Sequence, residues 1–65
     1  MIDTQKVKIR MLELDLTNES IAESLNLSLS GWYQKLNGNR AITISELFEL
    51  QKILKLDDTE LKDFF

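Results

Sequence analysis

The chain has no cysteine, no histidine and no proline, and only two of its 65 residues are glycine. Without cysteine there is no disulfide framework and no thiolate metal site. Without histidine, the commonest metal ligand and general base is missing too. Together these absences exclude most hydrolytic and redox chemistry. A pair of carboxylates could still catalyse, but a domain this short has little room for a deep pocket. The expectation is a protein that is not an enzyme and carries neither cofactor nor metal. Long apolar runs are lacking as well: none approaches the roughly 18 to 20 residues that cross a bilayer. The opening Met1-Ile2-Asp3-Thr4-Gln5-Lys6 has no charged-then-apolar leader layout. A cytoplasmic location, near the nucleoid and away from membranes, is therefore expected.

What is present reads as helix joined by tight turns, in one domain over residues 1–65. Four places share one grammar: an apolar residue, a capping residue, three more residues, then an apolar residue. They are Leu16-Thr17-Asn18-Glu19-Ser20-Ile21, Leu27-Ser28-Leu29-Ser30-Gly31-Trp32, Ile42-Thr43-Ile44-Ser45-Glu46-Leu47 and Leu56-Asp57-Asp58-Thr59-Glu60-Leu61. In each, a Thr, Ser or Asp can accept from the free N–H groups of a first helical turn. The flanking apolar pair can close as a hydrophobic staple, and Thr43 with Glu46, and Asp57 with Glu60, complete capping boxes. An earlier helix over about 3–14 aligns Val7, Met11 and Leu14 on one face, with Ile9 and Leu12 off that stripe, which predicts packing on two sides. A helix over about 44–55 turns Leu47, Leu50 and Leu54 inward, flanked by Phe48 and Ile53. Five short helices and no strand follow: an all-α, compact bundle.

The second and third helices carry the functional signal. Asn26 separates them, and Asn tolerates the left-handed conformation that a sharp turn needs. Ala22 allows close approach, and Trp32 with Leu36 gives the third helix a buried side. An aromatic in that stapled position reads as core and not as a base-stacking platform. The layout is that of a helix-turn-helix over about 17–37.

The stretch from Leu16 to Ser28 resembles the first half of the Cro/repressor (XRE-type) helix-turn-helix. Ser30-Gly31-Trp32-Tyr33-Gln34-Lys35-Leu36-Asn37-Gly38-Asn39-Arg40 resembles its recognition helix and the turn after it. The likeness is nearest to short regulators of phages and prophages of Gram-positive bacteria. It implies a five-helix, lambda-repressor-like bundle acting as a transcriptional regulator on a double-stranded operator. Several positions depart from the family pattern. Asn18 replaces a longer Gln that helps grip phosphate, and Asn26 replaces a turn Gly. Met11 and Leu36 stand where some relatives pair a buried Arg with a Glu, which avoids the desolvation cost of such a pair. Gly31 within the third helix costs about 1 kcal/mol relative to Ala and suggests a close backbone approach, to DNA or to the second helix.

With Trp32 inward, Ser30, Tyr33, Gln34 and Asn37 face outward. Gln34 suits a paired contact to adenine, and Ser30 and Tyr33 can reach base edges or phosphates. Leu29 lies at the helix tip, where relatives read bases, yet by helical angle it also follows the buried stripe. Phosphate contacts are expected from Thr17 and Asn18 at the start of the second helix, and from Asn37, Asn39 and Arg40 after the third.

The net charge of −3 opposes DNA binding. It is segregated, however. Lys35 and Arg40 are the only charges between Ser24 and Ser45, a local +2, and Lys6, Lys8 and Arg10 make the first helix basic. The acidic residues Glu46, Glu49, Asp57, Asp58, Glu60 and Asp63 lie elsewhere. Binding is expected to be weak and salt-dependent. The ending Leu61-Lys62-Asp63-Phe64-Phe65 either covers the first helix, at Ile9, or builds a homodimer through Leu61, Phe64 and Phe65; core packing is favoured for one phenylalanine, and the other is open to either use. The rival reading keeps the fold but binds protein, as an antirepressor or modulator whose partner is another phage regulator. The acidic total and the apolar Leu29 motivate it.

Overall fold

Side chains that can accept a hydrogen bond from a first helical turn stand before every helix of the chain. A computed structural model describes residues 2–65, and the helices are α1 (Thr4–Glu13), α2 (Asn18–Ser24), α3 (Leu29–Leu36), α4 (Ile44–Ile53) and α5 (Asp58–Phe64). No strand forms among the described residues. The N-caps are Asp3, Thr17, Ser28, Thr43 and Asp57, each accepting from the backbone N–H three residues on. The two capping boxes expected from sequence are formed. A third closes at Thr17, where Ser20 Oγ accepts from the Thr17 N–H at 3.3 Å. That pairing escapes the usual Glu/Gln signature because serine plays the returning part.

The helix ends share a device as well. Asp15, Asn26 and Lys55 have φ of 56°, 59° and 53°, and Gly38 has 82°. After each, the next N–H reaches back to a carbonyl one turn inside the helix: Leu16 to Met11 at 2.8 Å, Leu27 to Ala22 at 2.8 Å, Asn39 to Gln34 at 2.8 Å and Leu56 to Gln51 at 2.9 Å. These are Schellman closures, which satisfy carbonyls left over at a helix C-terminus. At three of the four joints, the leucine after the left-handed residue is also the residue before the next cap. One short motif (left-handed residue, Leu, cap) thus ends one helix and begins the next.

The core gathers from all five helices. Val7, Ile21, Trp32, Leu50 and Leu54 are fully buried, with Met11, Ala22, Leu25, Leu36, Leu56 and Phe64 around them. α2 packs chiefly on α3, while α1 meets α5 and α4 meets α2. The radius of gyration of 10.6 Å matches about 10.7 Å for a well-packed chain of this length, so no helix stands away from the bundle.

Two sequence expectations give way here, and the core packing favoured for one terminal phenylalanine falls to Phe64. α1 packs on one side only: Ile9 is exposed and Leu12 is 83% exposed, because the capped joints on either side orient Val7 and Met11 inward and leave nothing to cover the opposite face. The apolar arc of α4 is narrower than expected: Leu50 and Leu54 are buried and Leu47 half-buried, while Phe48 points out beside Ile44, which is 72% exposed. Phe64 belongs to the core, and its carbonyl accepts from the Asp3 N–H at 2.7 Å, which ties the C-terminus to the start of α1. Of the three residues expected to build a dimer surface, only Leu61 and Phe65 keep partial exposure, and both also pack against the core. Ile9, which the ending was expected to cover, stays 52% exposed.

Candidate nucleic-acid interface

The geometry of α3 follows from its buried side. Trp32 is fully buried, and its indole N–H donates to Asn18 Oδ1 at 2.9 Å, so the first residue of α2 receives the one polar group of the largest core side chain. An indole N–H only donates. The Asn18 carbonyl must therefore face Trp32, and its NH2 group is the end left over, with no partner among the described residues. Asn18, expected to touch phosphate, is first of all a bracket between α2 and α3. Its amide hydrogens remain for an outside acceptor, but its carbonyl does not. Beside it, the Thr17 hydroxyl is exposed and accepts from the Ser20 N–H at 3.1 Å, which leaves its own hydrogen free to donate outward.

The opposite side of α3 is open. Ser30, Gln34 and Asn37 are exposed, Tyr33 is 41% exposed and Leu29 37% exposed. None of the four polar side chains in that set makes an intramolecular hydrogen bond among the described residues. Asn39 and Arg40 are exposed too, on a turn fixed by their own backbone: both N–H groups donate to the Gln34 carbonyl, at 2.8 and 3.2 Å. The structure thus brings Leu29, Ser30, Tyr33, Gln34, Asn37, Asn39 and Arg40 to the outward face and trailing turn of one helix, free of carboxylates along its length.

The charge of this face is smaller than the sequence suggests. Lys35 is not a surface cation: its side chain is 7% exposed and its ammonium donates to Glu46 Oε1 at 2.5 Å. The same Glu46 oxygen accepts from the Thr43 N–H at 2.9 Å. Burial pushes the Glu46 carboxyl upward, but the hydrogen bonds from Lys35 and Thr43, with the lysine charge, outweigh it and hold the group below its ordinary value. The expected local +2 is therefore +1, carried by Arg40. A signal for this was available. At 3.6 residues per turn, Lys35 lies only about 60° from Trp32 around the helix, closer than Tyr33. The basic side of α1 is likewise partly spent, since Arg10 pairs with Glu60 and Glu13, and Lys6 donates to the Asp63 carbonyl.

Of the two close approaches expected at Gly31, the one to the second helix is not made. A Cβ there would meet Ser28 Oγ at 3.2 Å, Arg40 Nη1 at 3.5 Å and Leu27 Cβ at 3.9 Å, and no backbone atom of α2. The neighbours are side chains, with the Arg40 guanidinium folded toward the first turn of α3.

A second surface borders this one. An open groove of about 470 Å³ runs between the α3–α4 joint and the C-terminus, lined by Ile2, Arg40, Ala41, Ile44, Leu47 and Phe65 among others. Among the described residues, no cluster of acidic side chains could hold a metal ion, and no helix is long and apolar enough to cross a membrane.

No family model, curated protein or solved structure matches the chain.

Proposed function

We propose that α2 and α3 form a helix-turn-helix of the Cro/repressor kind and that the protein is a sequence-specific transcriptional regulator. On this reading, α3 lies in the major groove of an operator. The observation that carries it is the outward face of α3: Ser30, Tyr33, Gln34 and Asn37 present hydrogen-bonding groups to solvent with no partner inside the protein. Gln34 at mid-helix would pair with an adenine edge, Ser30 and Tyr33 would reach bases or phosphates, and Leu29 at the tip would meet a thymine methyl. Thr17, the Asn18 amide, Asn37, Asn39 and Arg40 would hold phosphates and set the register. Two half-sites read by two copies would supply the affinity that one cation per copy does not.

The test is titration of promoter DNA from the neighbourhood of the protein's own coding sequence, at several salt concentrations. Saturable binding that resists unrelated competitor DNA is the expected result. Absence of binding at low salt would overturn the proposal. Replacing Tyr33 and Gln34 by Ala should weaken specific binding and leave the protein folded with little loss of thermal stability, because neither side chain is in the buried core or makes an intramolecular hydrogen bond among the described residues.

The protein-binding alternative is favoured by a separate observation. Ile44 and Phe48 stand exposed one turn apart on α4, and Ile44 lines the groove. A modulator that engages another phage regulator would cover these residues and spare α3. Loss of partner binding in a Phe48→Ser variant, with DNA binding absent from the parent protein, would favour that reading.

A further inference from the structure

We propose that Lys35 is a positioning residue, whose tie to Glu46 fixes the tilt of α3 against α4 and so aims Ser30, Tyr33 and Gln34. Its functional consequence rests on the DNA-reading role of α3; its structural content does not.

The polar bonds of α3's buried side run to two different helices. Trp32 and Lys35 are three residues apart, on neighbouring parts of the inward surface. Trp32 donates to Asn18, the first residue of α2, and Lys35 donates to Glu46, in the first turn of α4. α3 is thus fastened at two points to two different helices. Its packing partner is α2, and direct packing on α4 is thin. With the Lys35 tie removed, only the burial of Leu36 holds the C-terminal end of α3 to the core, and an apolar contact fixes its tilt less tightly than a directed polar bond.

The tie is built to be rigid. Thr43 Oγ1 accepts from the Glu46 N–H at 3.2 Å while the Thr43 N–H donates to Glu46 Oε1 at 2.9 Å, so the carboxylate is anchored before Lys35 reaches it. The joint it spans, Asn37 to Thr43, is the longest in the chain. It is also the only joint that lacks a leucine between the left-handed residue and the next cap.

Stability alone does not explain the pair. Burying an ammonium and a carboxylate forfeits the hydration of both ions, and apolar residues of similar volume commonly serve as well or better. What such a pair adds is direction, since a lysine stem among apolar neighbours could settle in many ways but its ammonium must find this oxygen.

The test compares Lys35→Met/Glu46→Gln with Glu46→Gln alone. Glutamine is a normal capping-box residue, so both variants keep the cap of α4. Methionine replaces most of the lysine stem. In the single variant the side-chain amide carbonyl at position 46 still accepts from Lys35, and the tie survives without its full charge. Residual dipolar couplings of the Leu29–Leu36 amides would be measured in the free proteins. In the single variant they should fit the wild-type orientation of α3 relative to α4. In the double variant they should not, while its melting temperature stays at or above the wild-type value. Operator affinity should fall about tenfold or more in the double variant only. Wild-type couplings in a folded double variant would overturn the proposal. Unfolding of the double variant would do so too, by making the pair a stability element. If the wild type binds no DNA, the operator reading fails, and the couplings still decide the role of Lys35.

Discussion

Asn18 has one role that the structure shows and one that the proposed function gives it, at the two ends of one amide. Its carbonyl receives the Trp32 indole and its NH2 faces out, so substitutions separate the roles. Asn18→Ala should lower stability by about 1–3 kcal/mol, because it strands a buried N–H donor; a denaturation series would measure this. Asn18→Asp should keep or raise stability, since a carboxylate accepts from the indole and suits a helix N-terminus. It should nevertheless weaken operator binding by removing the outward donor and adding negative charge. Melting curves and a binding titration on the same sample would separate the two effects. Glu46 gives a second prediction at this scale. Its carboxyl is held below the ordinary value of 4.5, so the stability it contributes is complete above that value. The contribution is lost as the pH falls through the lowered folded value. Melting temperatures followed from about pH 6 downward should fall less steeply in Glu46→Gln than in the wild type.

At the scale of elements, starts are easier to read than stops. Thr17, Ser28, Thr43 and Asp57 are legible as caps because a short polar side chain before an apolar-periodic run has one favourable use. The stop at Asn26 is legible for the residue's tolerance of positive φ. Asp15 and Lys55 give no such sign, since aspartate is only occasionally left-handed and lysine rarely; there the following Leu and cap decide the conformation. Lys55→Gly should therefore stabilise the protein by about 1 kcal/mol, through relief of the left-handed penalty. For a domain of this size that amounts to a rise of about 4–8 °C in melting temperature. Gly31→Ala should also stabilise, by up to about 1 kcal/mol. The 3.2 Å approach to Ser28 Oγ is no obstacle, because Lys6, Ser20, Glu46 and Glu60 place a side chain at the same offset from their own caps. Calorimetry of the two variants would test both statements.

At the scale of the molecule, the outward face of α3 is readable from sequence, and so is the inward angle of Lys35, whereas the partners that neutralise the cations are not. Periodicity shows which residues face out. It does not show that Lys35 finds Glu46 across a joint, or that Arg10 finds Glu60 from the far end of the chain. These long-range pairings leave Arg40 as the cation beside α3, and they set the expected salt dependence. The logarithm of operator affinity should fall with the logarithm of salt concentration at a shallow slope, with a contribution of about 0.9 per phosphate neutralised. Arg40→Gln should flatten that slope by about 0.9, and Lys35→Met should leave it unchanged. An equal change in both variants would show that Lys35 reaches the backbone of DNA.

The joints bear on how such a chain tolerates change in its length. Between α1 and α2, α2 and α3, and α4 and α5, the left-handed residue, the leucine and the cap follow one another without a spare residue, so the end of one helix is directly joined to the start of the next. A single inserted residue would separate a stop from its start and break two closures together. The segment from Gly38 to Thr43 is different, because the turn that ends α3 and the cap that begins α4 are distinct residues with chain to spare between them. Variation in length can accumulate there without unfolding the bundle, on the side of the molecule where Asn39 and Arg40 are displayed. The fold is closed to insertion at three of its joints and open at the fourth, where the proposed contacts with an operator would change.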